Sequence, residues 1–474
     1  MRRRHLLGGL LGLAVACEVK SAPKTELPAT APAVVTTTPP VPSSPAPPTA
    51  PPTATATAVP NPYGVVDAST LERKMVFGYQ GWFSAASDGS PFGREWIHWS
   101  QRPLETPSPA NLVVDMWPDL AEFDADELYP TAMRYADGRV ASVFSSWNPK
   151  TVLRHFRWMG EHGIDGVLLQ RFHEPPVDPR AKEFRDGLAR RVRSGAEAYG
   201  RVFALEYDIS PPRQGSLFEQ LRADWMHLVD DLRITESGRY LRHRGRPLLG
   251  IWGFGFPHVK ETPEEMLAIV GWFTKDAPER YRVTLLGGVE WSWRQSTYGP
   301  VTRDARWPAT LMAFDVISPW YVGALQPSDE KIAKFADEIV GPDLAAVKAA
   351  GKDFLPIVHP GFSWQNLMRQ RNVTANLNSV PRNGGRFWWK QLDEWLRVGV
   401  TMVKGAMFDE IDEGTAMFKL ASRRADAPLD VGFVTLDADG AILPTDWYLR
   451  LSGVGSQVLR GEIPRTRDIP LQAP

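Results

Sequence analysis

The segment Phe408-Asp409-Glu410-Ile411-Asp412-Glu413-Gly414-Thr415 places four carboxyl groups within five positions, directly after a mostly apolar run from Val398 to Phe408. Like charges this close repel one another, so some of these groups must keep their protons to higher pH than an isolated carboxyl does. Two carboxyls whose pKa values are pushed apart can act as general acid and general base at neutral pH. The same residues also suit a solvated acidic turn in which Asp409 or Asp412 caps a following helix. What favours chemistry is the position of the segment, at the end of what reads as the last of eight strands.

Those strands are expected at Met75–Phe83, Ile164–His173, Val202–Asp208, Pro247–Gly253, Arg282–Gly288, Ala313–Trp320, Phe354–Pro360 and Val400–Phe408. Helical spacing fills the intervals: a helix opened by Asn148-Pro149 and closed by Gly163, then Arg180–Tyr199, Leu217–Leu232, Pro263–Lys275, Ser328–Ala350 and a last one around Gly385 to Val398. Continuous apolar strands alternating with helices predict a parallel sheet covered on both faces, and eight such units predict an α/β fold of the (β/α)8 TIM-barrel type. A doubly wound sheet is the alternative, disfavoured because no Gly-x-Gly-x-x-Gly follows any strand.

A barrel carries its chemistry at the C-terminal ends of its strands. Those ends supply Tyr79 and Trp82, Arg171 and His173, Glu206 and Asp208, Trp252, Glu290 and Trp291, Trp320 and Tyr321, His359, and finally Glu410 and Glu413. An aromatic-rich stretch after the first strand adds His98 and Trp99. Carboxyls and flat rings converging on one mouth are what glycoside cleavage requires, the first for proton transfer and the second for stacking on sugars. Glu410 and Glu413 are the carboxyls that the end of the last strand brings to this mouth. Tyr79, Trp82, His98, Trp99, Glu206, Asp208, Trp252, Trp320, Tyr321, His359 and Asp409 are the candidates for binding substrate. Two readings of these residues compete with function: Glu206 and Asp208 as structural partners of Arg171, and His359, before Pro360, as a hydrogen-bonded turn residue.

Composition narrows the classes. Of 474 residues, 43% are hydrophobic and 18 are tryptophan, more than a core of this size needs, and the net charge of −1 argues against a nucleic-acid footprint. The nine histidines contain no His-x-x-x-His pair, and Cys17 is the one cysteine, so neither a metal nor another cofactor is expected, and no thiol chemistry or internal disulfide. No Gly-x-Ser-x-Gly elbow marks a serine hydrolase. The expected partner is a carbohydrate, met by a monomer.

Ahead of the barrel, residues 1–17 read as a secretory signal, with Arg2, Arg3 and Arg4, then an apolar stretch too short to span a bilayer, then Leu13-Ala14-Val15-Ala16-Cys17. That ending is lipobox-like and makes Cys17 the expected lipidation site, so that the protein is exported to a bacterial cell envelope and anchored there, or simply cleaved and secreted. Residues 18–62 read as a disordered linker: the stretch 21–62 holds 13 prolines and only Lys24 and Glu26 as charges. As polyproline II it would reach on the order of 100 Å. The catalytic domain is expected at 63–474.

The acidic segment resembles the Asn-Glu-Trp-His-Glu-Gly-Thr motif of the endo-α-mannosidases, glycoside hydrolase family 99, and their relatives in family 71. Tyr79 to Phe83 with Ile97-His98-Trp99 is similar to that family's opening aromatic strand and His-Trp pair, and Asp165-Gly166-Val167 and Val358-His359-Pro360-Gly361-Phe362 are similar in kind. The resemblance implies a (β/α)8 barrel that cleaves α-mannosides within a chain, with retention and without a metal. It assigns Glu410 to deprotonating the substrate's own 2-hydroxyl, giving a 1,2-anhydro sugar, and Glu413 to acting as general acid and then base. Asp409, Ile411 and Asp412 stand where the family has Asn, Trp and His; this suggests a different sugar or subsite, and extra acids that raise the pKa of Glu413.

Overall fold

The computed structural model describes residues 63–172, 178–211, 214–256, 259–295 and 304–472. The signal, Cys17, the linker and His173 lie outside the described residues. The chain opens with strand β1 (Met75–Tyr79), and the long excursion after it contains an antiparallel hairpin, β2 (Tyr129–Arg134) and β3 (Val140–Val143). Strands and helices then alternate: α1 (Pro149–His162), β4 (Gly166–Phe172), α2 (Pro179–Tyr199), β5 (Val202–Asp208), α3 (Leu217–Asp230), a short pairing of β6 (Arg242–His243) with β7 (Arg246–Phe254), α4 (Pro263–Gly271) and β8 (Thr284–Glu290). After α5 (Trp307–Leu311) come β9 (Val316–Trp320), α6 (Asp329–Phe335), α7 (Gly341–Ala349), β10 (Asp353–Phe354), β11 (Ile357–Val358), α8 (Gln365–Gln370), α9 (Arg386–Arg397), β12 (Val403–Gly405) and α10 (Trp447–Arg460).

Local sequence sets these boundaries. Asn148 and Asp178 each cap the following helix by accepting a backbone N–H, with Pro149 and Pro179 in the first helical position. Gly163 and Gly200 end the same two helices at positive φ (74° and 62°), where a side chain would be strained.

The sheet runs β10-β9-β8-β7-β5-β4-β1-β12-β11, and every neighbouring pair on this path is parallel. β10 and β11 are two halves of one strand separated by Leu355-Pro356. The first half pairs with β9 and the second with β12, while Leu355 N–H donates to Ile317 O and Lys404 N–H donates to Pro356 O. That strand closes the sheet, giving eight parallel strands and the expected TIM-type barrel. The eighth strand is far shorter than expected: only Val403–Gly405 pairs as a strand, and the chain leaves the sheet at Ala406. The expected helix at Ser328–Ala350 is α6 and α7 joined by a π-helical segment, Ala336–Val340. The hairpin β2–β3 and helix α10 were not anticipated. α10 lies between α9 and α1, and Gly453 lets its backbone approach the His162 carbonyl, which a Cβ at that position would reach at 1.8 Å.

Because side chains alternate along a strand, each strand end sends only every second residue into the barrel. Arg171 and Tyr207, in register on β4 and β5, face the helices: Arg171 is held by Asp224 at 2.6 Å and Asp186 at 2.8 Å, and Tyr207 donates to Asp224 at 2.7 Å. Their neighbours Gln170 and Glu206 face inward, where Gln170 Nε2 donates to Glu206 Oε2 at 2.6 Å and Lys404 Nζ donates to the same oxygen from the far side of the barrel. The competing reading that paired Glu206 and Asp208 with Arg171 is thus corrected: strand parity gives Arg171 other acids and gives Glu206 a lysine. Gly250 and Gly288 leave the space that neighbouring side chains fill, since a Cβ on the first would lie 2.7 Å from Glu206 Cγ and on the second 2.3 Å from Trp252 Cδ1.

Candidate active site

The acidic segment is a tight loop above the barrel wall. Phe408 N–H donates to Gly78 O on β1, Met407 N–H to Thr415 O, and Thr415 N–H to Glu410 O, so residues 408–415 fold back on themselves. The Ala406–Met407 peptide is cis. Arg382 Nη2 donates to Gly414 O at 2.9 Å and Ala416 O at 2.7 Å, clamping the loop from below. The excursion after β1 presses on its other side, where Asp115 and Met116 both donate backbone N–H groups to Ile411 O. Asp115 in turn accepts from Ser363 Oγ and from the N–H groups of Gln365 and Asn366 at 2.5–2.7 Å, tying α8 to the same loop.

Within the loop the four acids have different surroundings. Asp409 is fully buried, accepting the N–H groups of Gln80 (2.7 Å) and Gly81 (2.8 Å), one on each oxygen. Burial, opposed by those amides, moves its carboxyl up to about 7. Glu410 receives a donor on each oxygen: Gln80 Nε2 on Oε1 and Thr415 Oγ on Oε2, both at 2.7 Å. Its pKa is raised by burial, then by the neighbouring Glu413 and Asp412. Asp412 Oδ2 lies 4.0 Å from His98 Nδ1, and neither its Oδ1 nor the His98 nitrogen has a hydrogen-bond partner among the described residues. Glu413 is half-buried, and burial followed by the charge of Asp412 lifts its carboxyl to about 8.

Glu410 and Glu413 are both raised, the charge of Glu413 acting on Glu410, and the two differ in the donors about them. Two hydrogen bonds into Glu410 favour its carboxylate and oppose the upward shift, whereas no protein donor reaches the Glu413 carboxyl among the described residues.

Other strand ends bring more carboxyls to the mouth. Asp208, raised to about 6 by burial, accepts the Ser210 N–H at 2.8 Å; Glu290, raised to about 7 by burial, accepts the Ser292 N–H and hydroxyl. Trp252 stands in register with Asp208, and Trp320 with Glu290; their rings meet edge to face at 5.7 Å. Trp82 stacks on His98 at 3.7 Å and on Phe172 at 5.2 Å, so its ring is engaged by protein, and its Nε1, without a hydrogen-bond partner among the described residues, is the polar handle it retains. Glu206 lies below this layer, fully buried beside Lys404.

Four of the anticipated binding residues are placed in packing instead. Tyr79 faces α1, where its hydroxyl bonds His155 Nδ1 at 2.9 Å. Trp99 is fully buried against Phe83 and Phe144, its Nε1 donating to Phe144 O. Tyr321 is wedged between Phe335 and Trp395 in the helical layer. His359 packs on Phe387 of α9 and has its backbone N–H bound by Gln391 Oε1, while burial lowers its pKa to about 4. Gln80 and Thr415, the two donors on Glu410, were not singled out from the sequence. Parity was the available signal for the first: if Gly78 faces inward, so does Gln80, and Tyr79 does not.

Among the described residues no group of three or more His, Cys, Asp or Glu side chains is arranged to hold a metal ion. Neither a family model nor a curated protein matches the sequence. Among solved structures, the chain is similar to the glycoside hydrolase family 99 endo-α-mannosidase from Bacteroides thetaiotaomicron, with a TM-score of 0.56 at 15% identity over 83% of this chain and 99% of that one. A second structure of that enzyme, in complex with bis-tris propane, matches with a TM-score of 0.56 at 16% identity over the same shares. The protein shares its fold with members of the family that its acidic segment resembles.

Proposed function

We propose that this protein is a glycoside hydrolase that cleaves O-glycosidic bonds of a polysaccharide or glycan, with Glu410 and Glu413 as its catalytic pair. The observation that carries the reading is the Glu410 carboxyl, held on one oxygen by Gln80 and on the other by Thr415, three residues from the half-buried Glu413 with its raised pKa, at the C-terminal mouth of a (β/α)8 barrel. The motif resemblance supports a retaining, endo-α-mannosidase-like course. Glu410 takes the proton of the sugar 2-hydroxyl as that oxygen attacks C1, and Glu413 gives its proton to the departing oxygen. Glu413 then takes a proton from water, the water oxygen attacks C1, and the 2-oxygen recovers its proton from Glu410. Trp252, Trp320 and the edge of Trp82 are the surfaces for sugar rings, and no step calls for a metal.

The sequence before the barrel supports an exported enzyme, anchored through an acylated Cys17 or cleaved and free, whose head stands off a membrane on residues 18–62. A chain beginning at Tyr63 is then expected to fold and unfold cooperatively in solution; aggregation or a broad, non-cooperative transition would place the boundary elsewhere.

The function is tested by incubating the protein with a panel of α-mannans and α-glucans and measuring released reducing ends, with and without EDTA. Release that EDTA leaves unchanged is expected. Release abolished by EDTA would indicate a metal-dependent hydrolase, and silence with retardation in glycan-containing native gels would indicate a glycan-binding barrel.

A further inference from the structure

Gln80 meets the acidic loop twice. Its backbone N–H, with that of Gly81, occupies both oxygens of Asp409, and its side-chain Nε2 occupies one oxygen of Glu410. The residue is buried at 7% exposure, directly beyond the last residue of β1, where the strand fixes its backbone. Asp409 therefore sets where Gln80 stands, and Gln80 sets where Glu410 points. Thr415 holds the other oxygen of Glu410 from within the loop, so the bond from Gln80 anchors that carboxyl to the barrel wall.

We propose that Gln80 is a positioning residue for Glu410 and that Asp409 acts through it, the two forming a clasp that fixes the catalytic carboxylate against the end of β1. The inference rests on Glu410 being the base of the proposed hydrolase. The clasp also spans β1 and the segment after β12, so it joins the two strands as well. What separates the roles is that a seam would affect only stability, whereas positioning affects the reacting oxygen. A carboxylate freed from one of two donors samples more orientations and loses part of the bias toward its ionised form.

Titration at this point has several contributors. Glu413 and Asp412 face Glu410 from the same loop, and both raise its pKa. Arg371 acts on Glu413, and His98 faces Asp412 from the excursion after β1. Gln80 and Thr415 bear on Glu410 in the opposite sense, toward ionisation.

The test is Gln80→Met, which keeps the volume and the backbone N–H to Asp409 while deleting the Nε2 donor. On the glycan that the wild type cleaves, kcat is expected to fall about 10- to 100-fold with KM nearly constant. The ascending limb of the pH–rate profile, where Glu410 ionises, should move to higher pH. Unchanged kcat and an unmoved limb, with only a lower melting temperature, would overturn the proposal and leave the clasp a seam. Should the methionine variant not fold, Gln80→Asn, which keeps the amide but is one methylene short of Glu410, is read by the same limb shift. A wild type silent on every glycan would instead overturn the hydrolase reading, and this inference with it.

Discussion

Glu413→Gln is expected to lose about 10²- to 10⁴-fold of its activity on natural glycosides, the range general acid catalysis supplies. Glycosides with activated aryl leaving groups should retain far more, because such an oxygen departs without a proton. The variant should also lose the descending limb of the pH profile. An acid works only while protonated, so wild-type activity falls as the pH rises through the Glu413 value of about 8, and glutamine has no proton to lose there. Equal losses on both kinds of leaving group would remove Glu413 from the acid role.

The second large effect concerns stability. Lys404 Nζ and Glu206 meet in the barrel interior, with side chains 1% and 0% exposed. Lys404→Met leaves the Glu206 carboxylate buried without its cation, and breaking a buried pair in this way costs about 3–5 kcal/mol. Adding Glu206→Gln removes the stranded charge and should return most of that loss, although each single change is harmful. Urea unfolding of the three variants at neutral pH measures this; a Lys404→Met protein as stable as the wild type would show that the pair contributes little to holding the barrel together.

The fold was largely legible in the sequence because its signals are local. Eight apolar runs separated by helix starts such as Asn148-Pro149 and stops such as Gly163 need no knowledge of distant contacts. The eighth strand was overextended because Ala406-Met407-Phe408 is as apolar as a strand, yet it leaves the sheet and is buried, Phe408 packing on Tyr79, His155 and Phe418. The site was legible in its acids and less so in its surroundings. Counting aromatic residues near strand ends selected Tyr79 and Tyr321, which parity turns toward the helices, and passed over Gln80, which it turns inward. Asp115 offered no sequence signal, since its three donors come from residues about 250 positions away that only the folded chain brings near. Lys404 is one charge inside an apolar run, and its meaning depends on Glu206, which closure of the barrel places opposite.

Whether two carboxyls of one loop divide acid and base work at neutral pH can be tested before any substrate is known. Carbon-13 carboxyl titration of glutamate-labelled protein, compared with Glu410→Gln and Glu413→Gln, reads both groups directly. Two signals titrating well above the ordinary glutamate value of about 4.3 are expected, one lost in each variant, with the remaining partner moving down as its neighbour's charge disappears. Two signals that titrate near the ordinary value, each indifferent to removal of the other, would contradict that division of work.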